Sequence, residues 1–130
     1  WEKAARGDKE AQIFPWGNSI NLNKVNGNNI IGDTSAVGCF PFGKSPYGLQ
    51  DMSGNVWEWT RSIFKSYEYN SNDGRENLKD QESLRVMRGG AYVADDWDFF
   101  LCASRFMVNP PNSLATYWGF RVVVCVSSPD

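Results

Sequence analysis

The segment 48–60 constrains this chain more than any other, and it reads Gly-Leu-Gln-Asp-Met-Ser-Gly-Asn-Val-Trp-Glu-Trp-Thr. Trp57 and Trp59 are separated by one residue, so on a β-strand they share a face while Glu58 points to the opposite face. Carboxylate and carbonyl oxygens are the ligands that hard cations prefer. The segment therefore predicts a strand with one aromatic face and a cation site where the strand begins. The loop before the strand supplies the other oxygens, from Asp51, Ser53, Gly54 and Asn55.

The composition predicts one domain with a large aromatic core and many turns. Of the 130 residues, 15% are aromatic, and 12 glycines and 6 prolines argue against long helices. The net charge is -2 with no basic cluster, so we expect neither nucleic acid nor a membrane surface as a partner. No apolar run is long enough to span a membrane, so we expect a soluble protein. The sequence does not indicate its cellular compartment. The chain starts at Trp1, and we expect the native N-terminus to be missing.

Histidine is absent from the sequence, which removes several classes of catalytic site. Ser-His-Asp and Cys-His triads and histidine-ligated zinc are excluded on this ground. The three cysteines, Cys39, Cys102 and Cys125, are too few and too scattered for a disulfide framework. We expect buried reduced thiols, and one disulfide with a free third cysteine is the alternative.

The pattern of the chain predicts an α+β domain with short antiparallel strands and long irregular loops. Apolar residues at 1, 4 and 5 have helical spacing, and Gly7 ends that helix. The polar segment 66–82 is predicted to be an exposed excursion. Strands are predicted at 55–60, 84–88, 100–107 and 118–126.

Six blocks in order closely resemble the formylglycine-generating enzyme, or sulfatase-modifying factor, domain. The resemblance implies a C-type-lectin-like fold. It also implies that residues 1–130 form one such domain, probably missing its N-terminal strands. The blocks are Trp-Glu-Lys-Ala-Ala-Arg-Gly at 1–7, Phe-Pro-Trp-Gly-Asn at 14–18, the segment 48–59, Arg-Gly-Gly at 88–90, Cys-Ala-Ser-Arg at 102–105 and Gly-Phe-Arg-Val at 119–122.

The resemblance implies structural calcium at two sets of positions. The first set uses the side chains of Asp51 and Glu58 with backbone oxygens of Gly54 and Val56; a hydrogen-bonded loop without an ion is the alternative. The second set is weaker because its oxygens are neutral where the family has a carboxylate, and plain turn chemistry of an asparagine-rich loop is the alternative. Its positions are Asn26, Gly27, Asn29 and Ile31.

The family's oxidase chemistry rests on two cysteines between the Gly-Gly turn and the next strand, which bind Cu(I). Residues 90–101 contain no cysteine. We therefore expect no copper, no catalytic residues and no cofactor other than calcium. The alternative is a divergent oxidoreductase, formylglycine-generating or sulfoxide-synthase-like, whose metal ligands lie outside this chain.

The resemblance implies that the family's active groove corresponds to the surface from Tyr92 to Trp118 in this chain. We predict that this surface binds a protein or a small molecule, because aromatic rings beside carboxylates are typical of ligand pockets. Core packing of the rings and a solvated acidic turn are the alternatives. We expect Arg105 and Arg121 to form buried ion pairs in strands. The candidate ligand-binding residues are Tyr92, Asp95, Asp96, Trp97, Phe106 and Tyr117.

The layout also looks like that of the variable proteins of diversity-generating retroelements, which have this fold. The sequence thus predicts a non-catalytic, calcium-stabilised binding domain, with such a bacterial or phage variable protein as a narrower hypothesis. The sequence does not distinguish this binding domain from a domain with a structural or lipoprotein accessory role. The candidate diversified positions are Ala94, Asp95, Asp96, Phe106, Val108, Ala115, Thr116 and Tyr117.

Overall fold

The computed structural model describes residues 1–107, 110 and 112–124. One short helix, α1 (Glu2–Arg6), precedes four strands: β1 (Trp57–Ile63), β2 (Arg85–Arg88), β3 (Phe106–Met107) and β4 (Trp118–Gly119). Three single turns of 3-10 helix lie in the loops, at Leu22–Lys24, Pro41–Gly43 and Trp97–Phe100. Most of the described chain is irregular, as the glycine and proline content predicts. None of its helices has the length and apolarity that a membrane crossing requires.

The four strands form one mixed sheet in the order β3-β2-β1-β4. β1 and β2 are antiparallel, with Glu58 opposite Arg88 and an irregularity in register beyond Trp59. β2 and β3 are also antiparallel, whereas β4 runs parallel to β1. The prediction of antiparallel strands is therefore incomplete. The chain crosses from the β3 edge of the sheet to its β4 edge, and a crossover of this kind places a strand parallel to its neighbour.

Alternation along β1 and β2 gives the sheet two different faces. Trp57, Trp59 and Met87 lie on one side, which we call the aromatic face. Phe99, Phe106, Tyr117 and Trp118 pack there. Glu58, Thr60 and Arg88 lie on the other side, the polar face, where Trp1 and Glu2 of the N-terminal region contact them. The aromatic face thus buries a large apolar surface, whereas on the polar face the buried Val86 lies beside hydroxyl and charged groups.

The loops build their own core beside the sheet. Phe14, Val25, Ala94 and Phe100 form one buried cluster, with Trp16 and Trp97 packed against it. Ala5, Met52 and Cys102 form a second cluster beneath α1. Burial of these side chains, at roughly 25 cal/mol per Å² of apolar surface, compensates for the small number of sheet hydrogen bonds.

The helix and the first two strands are confirmed, with bounds shifted by a few residues. α1 ends at Gly7, whose φ of 67° suits glycine. The strand predicted at 100–107 is wrong over most of its length, because Trp97–Phe100 forms a 3-10 turn and only Phe106–Met107 is extended. The Asp96 side chain accepts a hydrogen bond from the Asp98 N–H, which starts the turn and directs Phe100 into the loop core.

The strand predicted at 118–126 is shorter than expected in the described chain. Only Trp118 and Gly119 pair with β1. Val122, Val123 and Val124 are 77%, 82% and 83% exposed, so the prediction of a buried strand is wrong there. Residues 125 and 126 lie outside the described residues. The run of valines reflects β-propensity, which does not determine burial.

Close backbone contact at Gly54 generates a stability prediction. A Cβ at Gly54 would lie 2.4 Å from the Asn26 carbonyl oxygen, whereas a Cβ at Gly48 would meet nothing within 4 Å. Both residues have nearly the same φ, 79° and 78°. We expect Gly48→Ala to cost about 1–2 kcal/mol of unfolding free energy from the backbone term. Gly54→Ala is expected to cost at least about 2 kcal/mol more from overpacking.

Urea denaturation of the two variants measures this difference. Because the backbone strain is matched, the difference between the two losses isolates the contact with Asn26. Equal losses in the two variants would contradict the close approach of the loops.

Candidate functional site

Glu58, one of the two carboxylates of the first predicted calcium set, is buried on the polar face. It is 5% exposed. Its Oε2 accepts hydrogen bonds from the indole Nε1 of Trp1 and the Nε of Arg121, both at 2.6 Å. Its Oε1 accepts from Nη2 of Arg121 at 2.5 Å. The carboxylate and the guanidinium therefore form a two-pronged ion pair, which is the strong geometry for these groups.

Arg121 also holds the loop that precedes the strand. Its Nη2 donates to the carbonyl oxygens of Gln50 and Asp51, at 3.2 and 2.9 Å. The ion pair predicted for Arg121 is present, but Arg121 is half-buried and follows β4, so its predicted place in a strand is wrong. One guanidinium thus links β1, the loop at 50–51 and the segment after β4.

The first calcium set does not fit the ion in this arrangement. Three donors occupy most of the lone-pair directions of Glu58. The Oδ2 of Asp51 accepts from the Gly38 N–H at 2.8 Å. An ion at Asp51, Gly54, Val56 and Glu58 would have to compete with Arg121 for the only buried carboxylate of the set. Calcium at these positions stays a prediction.

The second calcium set has one feature that does fit a cation. Asn26 is 1% exposed, and its Nδ2 donates to the Asp33 carbonyl and the Ser35 hydroxyl. Its Oδ1 is buried and has no hydrogen-bond partner among the described residues. A buried amide oxygen without a partner is costly. Calcium accepts such oxygens as ligands, so Asn26 is suited to hold one.

The remaining positions of this set follow Asn26 along the chain. Asn29 and Ile31 lie in an exposed turn, where Asn29 has a positive φ of 53°. Across 1–107, 110 and 112–124, no three acidic or cysteine side chains come together as a metal cluster. An ion here would therefore take most of its ligands from neutral oxygens, at Gly27, Asn29 and Ile31 in addition to Asn26.

The described cysteines are two free thiols in different surroundings. Cys39 is exposed, so the expectation of a buried thiol is wrong for this residue. Cys102 is fully buried against Ala5 and Met52, and this burial raises its pKa to about 11. Cys102 is thus a neutral thiol at physiological pH, unlike a metal-binding thiolate. Cys125 lies outside the described residues.

The predicted ligand-binding rings are mainly packed inside the protein. Tyr92 is 8% exposed. Trp97 contacts Phe14 and Phe100, and Phe106 stacks on Trp57 with ring centroids 4.8 Å apart. The ring of Tyr117, which is half-buried, lies edge-on to Trp118.

The turn at 93–96 is one accessible part of the predicted surface, and Asp98, Leu114 and Thr116 are exposed as well. Val93, Asp95 and Asp96 are exposed in the turn. Val108 and Asn109 lie outside the described residues. Ligand binding by the segment 92–118 stays a prediction, and its acidic turn is among the described parts open to a partner.

A cavity on the polar face was missed by the sequence interpretation. It has a volume of about 280 Å³. The excursion at 66–82, predicted to be solvated, folds back and supplies part of its wall. Arg105, predicted to lie in a strand and form an ion pair, lies before β3 and also lines this cavity. The lining residues are Trp1, Glu2, Thr60, Ser62, Tyr67, Tyr69, Arg75, Val86, Arg88 and Arg105.

Replacing Glu58 with glutamine tests the ion pair. We expect Glu58→Gln to lower the free energy of unfolding by about 2–4 kcal/mol, because it leaves the Arg121 guanidinium without a counter-ion. Glu82→Gln, on the exposed excursion, is the control and should change stability by less than about 0.5 kcal/mol. Chemical denaturation measures both losses. A Glu58→Gln protein as stable as the control would show that the pair contributes nothing.

The thiols generate a second prediction. Because the pKa of Cys102 lies near 11, its thiol stays protonated at pH 8. Iodoacetamide at that pH should label Cys39 in the native protein, and Cys102 only after denaturation. Peptide mass spectrometry separates the two sites. Labelling of Cys102 at the rate of Cys39 under native conditions would contradict the packing described for α1.

The fold matches solved structures of two other proteins. Treponema denticola variable protein 1 aligns with a TM-score of 0.67 over 92% of this chain and 43% of its own, at 23% sequence identity. The structure titled CarF aligns with a TM-score of 0.62 over 92% of this chain and 42% of its own, at 21% identity. These likenesses support the α+β, C-type-lectin-like fold of the formylglycine-generating-enzyme type.

Three curated relatives are more similar in sequence. The inactive C-alpha-formylglycine-generating enzyme 2 of Bos taurus is 35% identical, over 93% of this chain and 40% of its own length. The formylglycine-generating enzyme of Mus musculus is 33% identical, over 93% and 36%. The serine/threonine-protein kinase pkn1 of Chlamydia pneumoniae is 36% identical, over 93% and 19%.

The chain thus spans two fifths or less of the length of these three relatives. The family model of the sulfatase-modifying factor enzyme 1-like domain matches residues 1–126, which is nearly the whole chain. This chain belongs to the sulfatase-modifying factor family.

Proposed function

We propose that this chain is a non-catalytic, calcium-stabilised binding domain of the sulfatase-modifying factor family. One observation carries the proposal: the family's scaffold is present, but residues 90–101 contain no cysteine. Cys102, which follows directly, is packed beneath α1 as a neutral thiol. A pair of thiolates for Cu(I) is therefore lacking where the resemblance requires it.

The names of the relatives do not decide the activity. Both an inactive and an active formylglycine-generating enzyme match this chain at similar identity. The proposal rests instead on this chain's own residues.

Calcium would stabilise the loop that holds the predicted binding turn. Asn28 N–H donates to the Ala94 carbonyl at 2.8 Å, and Asn29 N–H donates to the Tyr92 carbonyl at 2.7 Å. Asn26 lies at the start of the same loop and offers its unpartnered Oδ1. An ion held at 26–31 would therefore fix the backbone beneath 92–94. This supports a structural role for calcium next to the binding surface.

The exposed acidic turn is the part of the 92–118 segment that a partner would meet first. Asp95 and Asp96 extend from a backbone anchored on both sides, since Tyr92 N–H donates to the Asn55 carbonyl and Phe100 is buried. A rigid support with exposed polar side chains suits recognition. A variable protein is among the solved structures with this fold, which favours the narrower proposal of a retroelement variable protein.

The calcium proposal has a direct test by thermal and chemical unfolding. Calcium at a hundred times its dissociation constant should stabilise the protein by about 2.7 kcal/mol. We expect Asn26→Ala to remove this gain, because the variant lacks the amide oxygen. Asp51→Asn is the matched control from the first set and should retain it.

The opposite pattern, with the gain lost in Asp51→Asn and kept in Asn26→Ala, would place the ion at the first set. A wild-type protein that shows the same stability with calcium and with chelator would end the calcium proposal.

The absence of oxidase activity has its own test. The protein is incubated with copper, oxygen and a sulfatase-type cysteine peptide, beside an active formylglycine-generating enzyme as positive control. We expect mass spectrometry to find the formyl product only in the control reaction. Formylglycine produced by this protein would refute the non-catalytic assignment.

A further inference from the structure

We propose that the cavity on the polar face binds a small organic anion, one with a carboxylate or phosphate head and a flat apolar body. Arg105 is the residue that would hold the head group. The site lies on the other side of the sheet from the packed aromatic face. The inference therefore does not depend on calcium, and of the residues 92–118 it uses Arg105 alone.

The cavity has the size and walls of a small-molecule site. Its volume of about 280 Å³ lies just below the usual range for drug-sized ligands, roughly 300–1,000 Å³. Thr60, Ser62 and Val86 form the part contributed by the sheet. Trp1 closes one side, and the remaining wall comes from the excursion that follows β1. Rings and aliphatic groups beside a few polar atoms are the usual lining of such sites.

Two tyrosines of the excursion lie at this cavity with their rings largely in solvent. Tyr67 is 70% exposed and Tyr69 is 60% exposed. Each ring lies against one guanidinium, of Arg105 for Tyr67 and of Arg75 for Tyr69, and the exposed remainder of each ring favours contact with a flat ligand. These two rings are the reason why the proposed ligand has a flat apolar body.

The excursion that carries these tyrosines has a fixed structure. Arg75 is 3% exposed and donates to the Asp73 carboxylate, at 2.7 Å from Nη2, and to the carbonyls of Ser66 and Glu68. The hydrogen bonds that Asp73 accepts from the Arg75 side chain lower the pKa of Asp73 to about 2. Arg75 thus holds the turn in place and is already neutralised, so it is not the anion-binding group.

Arg88 is neutralised in the same way on the opposite side of the cavity. Its Nη2 lies 2.7 Å from Glu2 Oε2, and the other hydrogen bonds of the guanidinium go to the carbonyls of Cys102, Ala103 and Ser104. Glu2 also pairs with Arg6, at 2.6 Å. The carboxylate that lines the cavity is therefore already committed to two cations.

Arg105 differs from both of these arginines. Its Nη2 donates to the Lys65 carbonyl at 3.1 Å. Among the salt bridges between described residues, none includes Arg105. A half-buried cation without a counter-ion is unfavourable. The cavity therefore carries one positive charge that the described chain does not neutralise.

The surroundings of Arg105 define how it would bind. Its guanidinium carbon lies over the rings of Phe64 and Tyr67, at 5.0 and 4.6 Å from their centroids. Ring contacts use the flat face of a guanidinium and leave the N–H groups at its edge available. Those N–H groups match the two oxygens of a carboxylate or phosphate. The rings thus preorient the donor group that the proposed ligand needs.

Titration calorimetry with three probes of one shape tests the proposal. The probes are benzoate, phenyl phosphate and neutral benzamide. We expect benzoate or phenyl phosphate to bind in the millimolar range or tighter, and benzamide to bind at least tenfold more weakly. The tighter of the two anions identifies the head group. Benzamide binding as tightly as both anions, or no binding of either anion, would overturn the proposal.

Variants locate the binding. Arg105→Met should weaken anion binding at least tenfold. Arg105→Lys should retain part of the affinity, because lysine keeps the positive charge but lacks the planar pair of N–H groups. Arg61→Met, which alters an exposed arginine outside the cavity lining, is the control and should bind as the wild type does. Undiminished binding by folded Arg105→Met would overturn the proposal.

Tyr67→Ser covers the case in which Arg105 variants do not fold, since its side chain is largely exposed. We expect it to weaken binding of the aromatic anions several-fold while leaving the far-ultraviolet spectrum unchanged. Full binding by Tyr67→Ser would contradict the location of the site.

Discussion

The buried carboxylate of Glu58 is the interaction on which the arrangement of this protein depends. It lies near the start of β1 and accepts hydrogen bonds from Trp1 at the start of the chain and from Arg121 after β4. Arg121 extends the network to the carbonyls of Gln50 and Asp51. A buried charge must be paired to be tolerated. The need to pair this one charge therefore brings four segments together on the polar face.

The two faces of the sheet differ in how completely they are covered. The aromatic face, with Trp57, Trp59 and Met87, is covered by rings of the 92–118 segment. Side chains that looked like ligand contacts in the sequence are thus largely part of the core. The polar face is covered less completely, by α1 and by the excursion after β1, and a cavity remains between them. The cavity and the guanidinium of Arg105, which pairs with no carboxylate among the described residues, lie together on this face.

The tertiary contacts reverse the order in which the two calcium sets suit an ion. The first set contains two carboxylates, which made it the stronger prediction. One of them is paired with Arg121, and the other accepts from the Gly38 N–H. The second set has neutral oxygens but includes the buried, unpartnered Oδ1 of Asn26. Availability of an oxygen, and not its charge alone, determines whether it can serve a cation.

The linear order of residues was sufficient for the family, the α+β class, the N-terminal helix ended by Gly7 and the strand pattern at Trp57 and Trp59. These features depend on local spacing and backbone preference, which a sequence displays directly. The lack of histidine and of cysteine at 90–101 is read from the sequence in the same direct way.

Tertiary structure alone decided which groups are free to act. Glu58 and Arg121 are 63 residues apart, so nothing in their local sequence reveals the pair. The unpartnered oxygen of Asn26 and the unneutralised charge of Arg105 are likewise defined by distant neighbours. The fold also left the valines at 122–124 exposed, against their β-propensity. Burial and charge pairing depend on contacts across the fold, and spacing along the chain does not encode them.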